Sequence, residues 1–216
     1  MWVAHVGAAP VLRSGTVDEP RAVASWDLAA VAAGSLREWG VAEPEPFLLV
    51  CANGRRDRCC GHAGGRLADE LWRGAHRDRV LTSTHLGGHR FAPTALLLPS
   101  GALHGRLDPA GAASLIVGAR TGRMPAGTLR GFSTLSEPAQ VAEARARLVS
   151  GHTGAAPLPV ELHPGPDADR ATAQVRVPAG AAHACSVLEI ALRRTAVTGL
   201  RSCGRAPESA MRWTLA

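Results

Sequence analysis

The sequence predicts an α/β fold with a β-rich C-terminal extension, and three observations predict it. A continuous apolar run of strand length, Phe47-Leu48-Leu49-Val50, reads as a strand covered on both faces. Helix-like and strand-like segments alternate up to residue 150. Beyond Gly151, Pro157, Pro159, Pro164, Pro166 and Pro178 punctuate short alternating segments that read as antiparallel strands. The expected division is therefore residues 1–150 as one α/β domain and 151–216 as an extension packed on it.

The elements follow in order. Residues 2–6 (WVAHV) form a short strand. Asp27 to Trp39 reads as a helix, with Asp27 near its N-cap and Gly40 ending it. Pro44 and Pro46 break the chain before the apolar strand, and Cys51 sits at that strand's C-terminal end. Ala52 to Gly61 is polar and glycine-containing, hence a loop. Residues 64–73 place Leu67, Leu71 and Trp72 on one helical face. Arg79 to Thr84 is a second strand and residues 85–93 a loop, because Gly87-Gly88 and Pro93 oppose regular structure. Thr94 to Leu98 and Ala102 to Gly105 form a hairpin. Asp108-Pro109 opens a helix through Arg120, with Asp as the cap and Pro in the first turn. Glu137 to Val149 is a further helix with Ser136 at its N-cap. In the extension, PVELH, ATAQVRV and VLEIALR carry the strand pattern.

Composition narrows the function classes. Hydrophobic residues make up 46% and charged residues 19%, which is globular composition. No apolar run has the length of a membrane span, and no apolar secretory core opens the chain. The expected setting is cytoplasmic, with no membrane partner. The net charge is +6, yet all 24 cationic residues are arginine and none is lysine. The arginines are scattered singly and in pairs, and with 4% aromatics there is little for bases to stack on, so nucleic acid is not the expected partner. A weakly basic face suits an acidic redox partner protein better, because charge steers electron-transfer encounters.

Chemistry concentrates in two loops. Of five cysteines, Cys51, Cys59 and Cys60 fall within ten residues, and clustered thiols in a reducing setting point to metal or redox chemistry. Cys51 and Cys60 enclose eight residues, and His85-Leu86-Gly87-Gly88-His89 follows 24 residues later. Each pair lies just after a predicted strand, so both loops open on one edge of the sheet. Two glycines between the histidines disfavour a helix by roughly 1 kcal/mol each. A loop wrapped around something bulky is the better reading. Thiolate and imidazole suit zinc and iron–sulfur centres alike, and spacing alone leaves both open.

The segments VCANGRRDRCCGH, STHLGGHRFAPTALLLPSG and LHGRL together resemble the sucrase/ferredoxin-like family, the thioredoxin-like ferredoxins. Cys51, Cys60, His85 and His89 match that family's Cys-x8-Cys and His-x-Gly-Gly-His pattern. Arg56-Asp57 matches its Arg-Asp, and Ser202-Cys203-Gly204-Arg205-Ala206-Pro207 resembles a further family segment. The resemblance implies a thioredoxin-like sheet flanked by helices. It also implies one [2Fe–2S] cluster with Cys51 and Cys60 as thiolate ligands and His85 and His89 as imidazole ligands. The implied role is an electron carrier. Two imidazoles in place of two thiolates would raise its potential above that of plant-type ferredoxins.

Other readings fit the residues less well. Zinc in the same four ligands is the runner-up, as a binding module without redox chemistry. Thiol–disulfide exchange normally uses Cys-x-x-Cys at a helix start, and that motif is missing. Sucrose hydrolysis would need paired carboxylates across a sugar, whereas Asp57, Asp69 and Glu70 read as loop and helix-surface residues. Cys59 is the neighbouring thiol, able to substitute for Cys60. Cys185 and Cys203 are expected to be small buried apolar residues, with the family-like loop of Cys203 able to pack near the cluster. Arg56 and Arg90, beside the ligand positions, would offset cluster charge or lie in solvent.

Overall fold

A computed structural model describes residues 1–7, 9–33, 35, 39–179 and 185–216. Its centre is a five-stranded mixed sheet: β4 (Phe47–Cys51), β5 (Val80–Ser83), β6 (Thr94–Leu98), β7 (Ala102–Gly105) and β8 (Leu129–Phe132), in the order β5-β4-β6-β7-β8. β4 and β5 run parallel and the remaining neighbours antiparallel. Before it, β1 (Trp2–His5), β2 (Val11–Ser14) and β3 (Val41–Ala42) form a small antiparallel sheet. After it comes a four-stranded antiparallel sheet, ordered β12-β11-β10-β9, of β9 (Val160–Pro164), β10 (Arg170–Val177), β11 (Ser186–Leu200) and β12 (Pro207–Leu215). The α/β class with a β-rich C-terminal part is therefore as the sequence pattern indicates.

The helices show why. α2 (Gly65–Trp72) buries Leu67, Ala68 and Leu71, and α3 (Pro109–Arg120) buries Ala112, Leu115 and Ile116. Both stripes join Leu48, Val50, Val80, Leu97 and Phe132 of the central sheet in one core. Asp108 caps α3 by accepting the Gly111 N–H at 2.6 Å, with Pro109 in the first turn. α4 (Glu137–Ser150) presents Ala142 and Ala146 to a second core with Leu158, Ala173, Val175, Val177, Ile190 and Leu192. It also contacts β8, so this helix joins the two larger sheets.

Four sequence expectations are corrected. The helix expected over residues 27–39 is only α1 (Leu28–Ala32), capped by Asp27. The glycine at position 34 and residues 36–38, which belonged to that expectation, lie outside the described residues. The loop expected over Ala52–Gly61 is helical from residue 58, with a π-helical turn at Cys60–Gly64 leading into α2. β8 was not anticipated: Gly131 interrupts its short apolar pattern. Nor was β12, and β11 runs on past the expected VLEIALR segment to Leu200.

His104 on β7 makes the fold sensitive to acid. The side chain is fully buried, with Nδ1 2.9 Å from Thr128 Oγ1. Burial, and secondarily the Arg147 charge, push its pKa down to about 4. The unfolded chain takes up this proton near pH 6.5 while the folded protein refuses it until about pH 4. Unfolding is thus favoured as pH falls through that window, by up to about 3 kcal/mol from this residue. Urea titrations from pH 7 to pH 4.5 should show the loss, and His104→Gln should reduce the slope.

Candidate metal centre

The site forms where the C-terminal end of β4, the turn into α2, the loop after β5 and the segment after β11 meet. The π-helical turn brings Cys60 back against the strand end. A side chain at Gly64 would collide with the Cys51 carbonyl oxygen, its Cβ only 1.9 Å away, so glycine permits that close approach. Cys51 and Cys60 are both buried. The Cys51 thiol donates to the Thr84 carbonyl at 3.2 Å, just before His85. Burial first, then the adjacent Cys51 and Cys59 thiols, push Cys60 well above the ordinary thiol range.

Cys59 adjoins Cys60 and also meets two partners from distant segments. Its Sγ lies 2.9 Å from Cys203 Sγ and 3.5 Å from His89 Nδ1, and Cys203 Sγ is also 3.5 Å from His89 Nδ1. The three donor atoms all lie within 4.8 Å of one another. Burial raises the Cys59 thiol, whereas the hydrogen bond with Cys59 lowers that of Cys203, so Cys203 is the member of this pair that ionises more readily.

His89 is held for the role of a ligand. It is buried on a single 3-10 turn (His89–Phe91) that follows Gly87 and Gly88, both at positive φ. Its Nε2 lies 2.9 Å from the Leu200 carbonyl at the end of β11. A carbonyl can only accept, so Nε2 carries the proton and Nδ1 turns its lone pair to the two thiols. Burial pulls the His89 pKa down, but the Leu200 carbonyl and then Cys203 outweigh it, and the net shift is upward.

Asp57 organises the whole. Its carboxylate is buried; Oδ1 accepts the Ser202 hydroxyl and the Cys203 N–H, each at 2.7 Å. Oδ2 is 3.9 Å from His85 Nδ1, and Oδ1 is 4.0 Å from His89 Nδ1. Burial pushes the carboxyl up, but these hydrogen bonds and the two imidazoles more than reverse it, so Asp57 stays ionised. Among the described residues Oδ2 has no hydrogen-bond partner. A buried, ionised carboxylate between two imidazoles adds negative charge that favours a bound cation. Together with four thiols and two imidazoles, it makes the site fit a thiophilic metal centre.

The sequence-derived ligands therefore lie in one region without forming one compact group. Cys51 and Cys60 adjoin each other, His89 joins Cys59 and Cys203, and His85 stands partly exposed on the far side of Asp57. Three expectations change. Cys203 is a half-buried donor at the site rather than a packing residue, and Asp57 is a buried anchor rather than a loop-surface acid. The signal for both was present in Ser202-Cys203-Gly204 and Arg56-Asp57; what joins them is a contact across about 145 residues, which spacing does not reveal. Cys185 is exposed rather than the buried packing residue expected.

Among the described residues no helix is long and apolar enough to cross a membrane. No curated protein and no solved structure matches the chain. The model of one family, sucrase/ferredoxin-like, matches residues 12–131, more than half of the chain and the span that holds Cys51, Asp57, Cys59, Cys60, His85 and His89. With that match and a thiol–imidazole centre inside it, the chain belongs to the sucrase/ferredoxin-like family.

Proposed function

We propose that this chain binds a [2Fe–2S] cluster and serves as a ferredoxin-like electron carrier for a redox partner protein. The observation that carries the reading is the gathering of four thiols and two imidazoles around one ionised, buried carboxylate in a member of this family. When bound, such a cluster accepts and releases one electron at a time. In this proposal Cys51 and Cys60 supply thiolates and His85 and His89 supply imidazoles. Asp57 supplies a fixed negative charge within about 4 Å of both rings and anchors the Cys203 segment, and the Leu200 carbonyl holds the His89 ring and its tautomer. Cys59 and Cys203 close the site from the α2 and β11 sides and lie within reach of the same centre.

A second reading has its own observation. Cys59, His89 and Cys203 within 4.8 Å match a single ion better than a two-iron cluster, and two thiolates with one imidazole are a known zinc set with an open fourth position. Metal and acid-labile sulfide analysis of protein produced with ample iron separates the two. The cluster reading expects two irons and two sulfides per chain, with a red-brown colour that bleaches on reduction. One zinc per chain, no sulfide and no colour would establish the second reading instead.

A further inference from the structure

Three arginines surround one phenylalanine beside this centre. The guanidinium carbons of Arg130, Arg90 and Arg106 lie 4.7, 4.9 and 5.3 Å from the centroid of the Phe91 ring. Each cation gains from the ring's negative face. They also repel one another, and no acid offsets that: among the described residues none of the three side chains forms an ion pair or a hydrogen bond. The more buried arginines elsewhere are offset by acids. Arg79 is paired with Glu43 and Glu45 at 3.2 Å each, and Arg147 with Glu143.

The cluster is built into the backbone. Gly88 has φ +67, and a Cβ there would run into the Arg130 guanidinium at 2.4 Å. A Cβ at Gly105 would meet both Phe91 Cβ and Arg130 Cδ at 2.8 Å. Arg106 is the one non-glycine residue with positive φ among those described, at 55°, and its N–H donates to the Phe91 carbonyl at 2.7 Å. A bulky residue in the left-handed region is strained, and such strain clusters at ligand clamps. Arg130 Nη1 is buried with no hydrogen-bond partner, and desolvation followed by the Arg90 charge lowers the Arg130 pKa. A donor left unsatisfied among like charges calls for an acceptor that carries negative charge.

We infer that Arg90, Arg106 and Arg130, seated around Phe91, form a binding site for a compact, multiply charged oxyanion of a small molecule, of the phosphate or polycarboxylate kind. Guanidinium forks match the planar or tetrahedral oxygens of these groups. Arg130 is half-buried while Arg90 and Arg106 are exposed, so a compact anion seated among the three reaches it better than an acidic polypeptide lying across the surface. Arg90 follows His89 directly, so the site adjoins the metal centre without depending on it.

The test is thermal unfolding of the full chain titrated with inorganic phosphate, with citrate and with hexaglutamate, ionic strength held constant with chloride. Binding to the folded state raises the melting temperature with a saturating dependence on ligand. Phosphate or citrate should do so in the wild type. The half-saturating concentration should rise at least about tenfold in Arg130→Gln and in Arg106→Gly, as expected when one charge-assisted contact is lost. Glycine adopts the positive φ at position 106 without strain, so that variant keeps the fold. Arg77→Gln, at an exposed turn away from Phe91, should respond as wild type. The proposal is overturned by no saturating response to either small anion, by an undiminished response in both cluster variants, or by a response to hexaglutamate alone. All three readings are independent of metal content, so loss of the cluster proposal and loss of this one are told apart.

Discussion

On the cluster proposal, Cys60→Ser should lose nearly all cluster absorbance and bound iron, Cys51→Ser should do the same, and Cys59→Ser should keep both. The expectation rests on burial and charge. Cys60 is almost completely buried, and burial with the adjacent thiols holds it protonated in the metal-free protein. Only a bound cation makes its thiolate affordable there, so metal uptake must release that proton and weaken as pH falls. A serine hydroxyl at the same place stays neutral and leaves an iron without its ligand. Loss of a ligand should exceed the roughly 10–100-fold loss of affinity typical of an outer partner. Asp57→Asn, which keeps the shape and removes the charge between His85 and His89, should fall in that smaller range. Metal analysis and visible spectra of the purified variants read all of this. The opposite pattern, with Cys59→Ser and Cys203→Ser colourless and Cys60→Ser intact, would move the ligands to the compact triad.

The two sides of the site were unequally legible in the sequence. Cys51, Cys60, His85 and His89 stand out because their spacing is local and each pair follows a strand whose apolar run is easily read. The strands do end together, with Cys51 paired to Ser83 in the parallel register. Cys203, Leu200 and Ser202 reach the same place only because β11 is 15 residues long and runs on beyond its pairing with β10, with β12 alone beside it. Its outer half is mostly exposed, without the apolar alternation that marks a strand, and β12 shares that weakness. The helix start at residue 58 was hidden for another reason. Polar residues with Gly54 and Gly61 read as loop by propensity, and the close approach of Gly64 to the Cys51 carbonyl is a tertiary contact that overrides it. On α4, Glu143 and Arg147 look like an ordinary surface pair at i and i+4, yet both are buried.

That pair sets the last expectation. Glu143→Ala should destabilise the protein by about 3–5 kcal/mol, the usual cost of stranding one buried charge. Arg147 would keep its bonds to the Gly154 and Ala156 carbonyls, both 2.5 Å, and its place 5.1 Å from the Phe132 ring, but no anion would face it. Glu143 Oε1 also accepts the Leu158 N–H at 3.1 Å, so the substitution frees a buried donor on the segment that leads into the C-terminal sheet. Glu143→Leu combined with Arg147→Met removes both charges and fills similar volume, and it should cost less than either single change. Urea denaturation of the three variants gives the comparison, and a double variant as unstable as the sum of the singles would mean that the carbonyl contacts, not the charges, hold the segment. The consequence reaches the metal centre. α4 lies between β8 and the sheet whose β11 brings Leu200 to His89 and Cys203 to Asp57, so Glu143→Ala should also weaken metal retention, and the double variant should restore it.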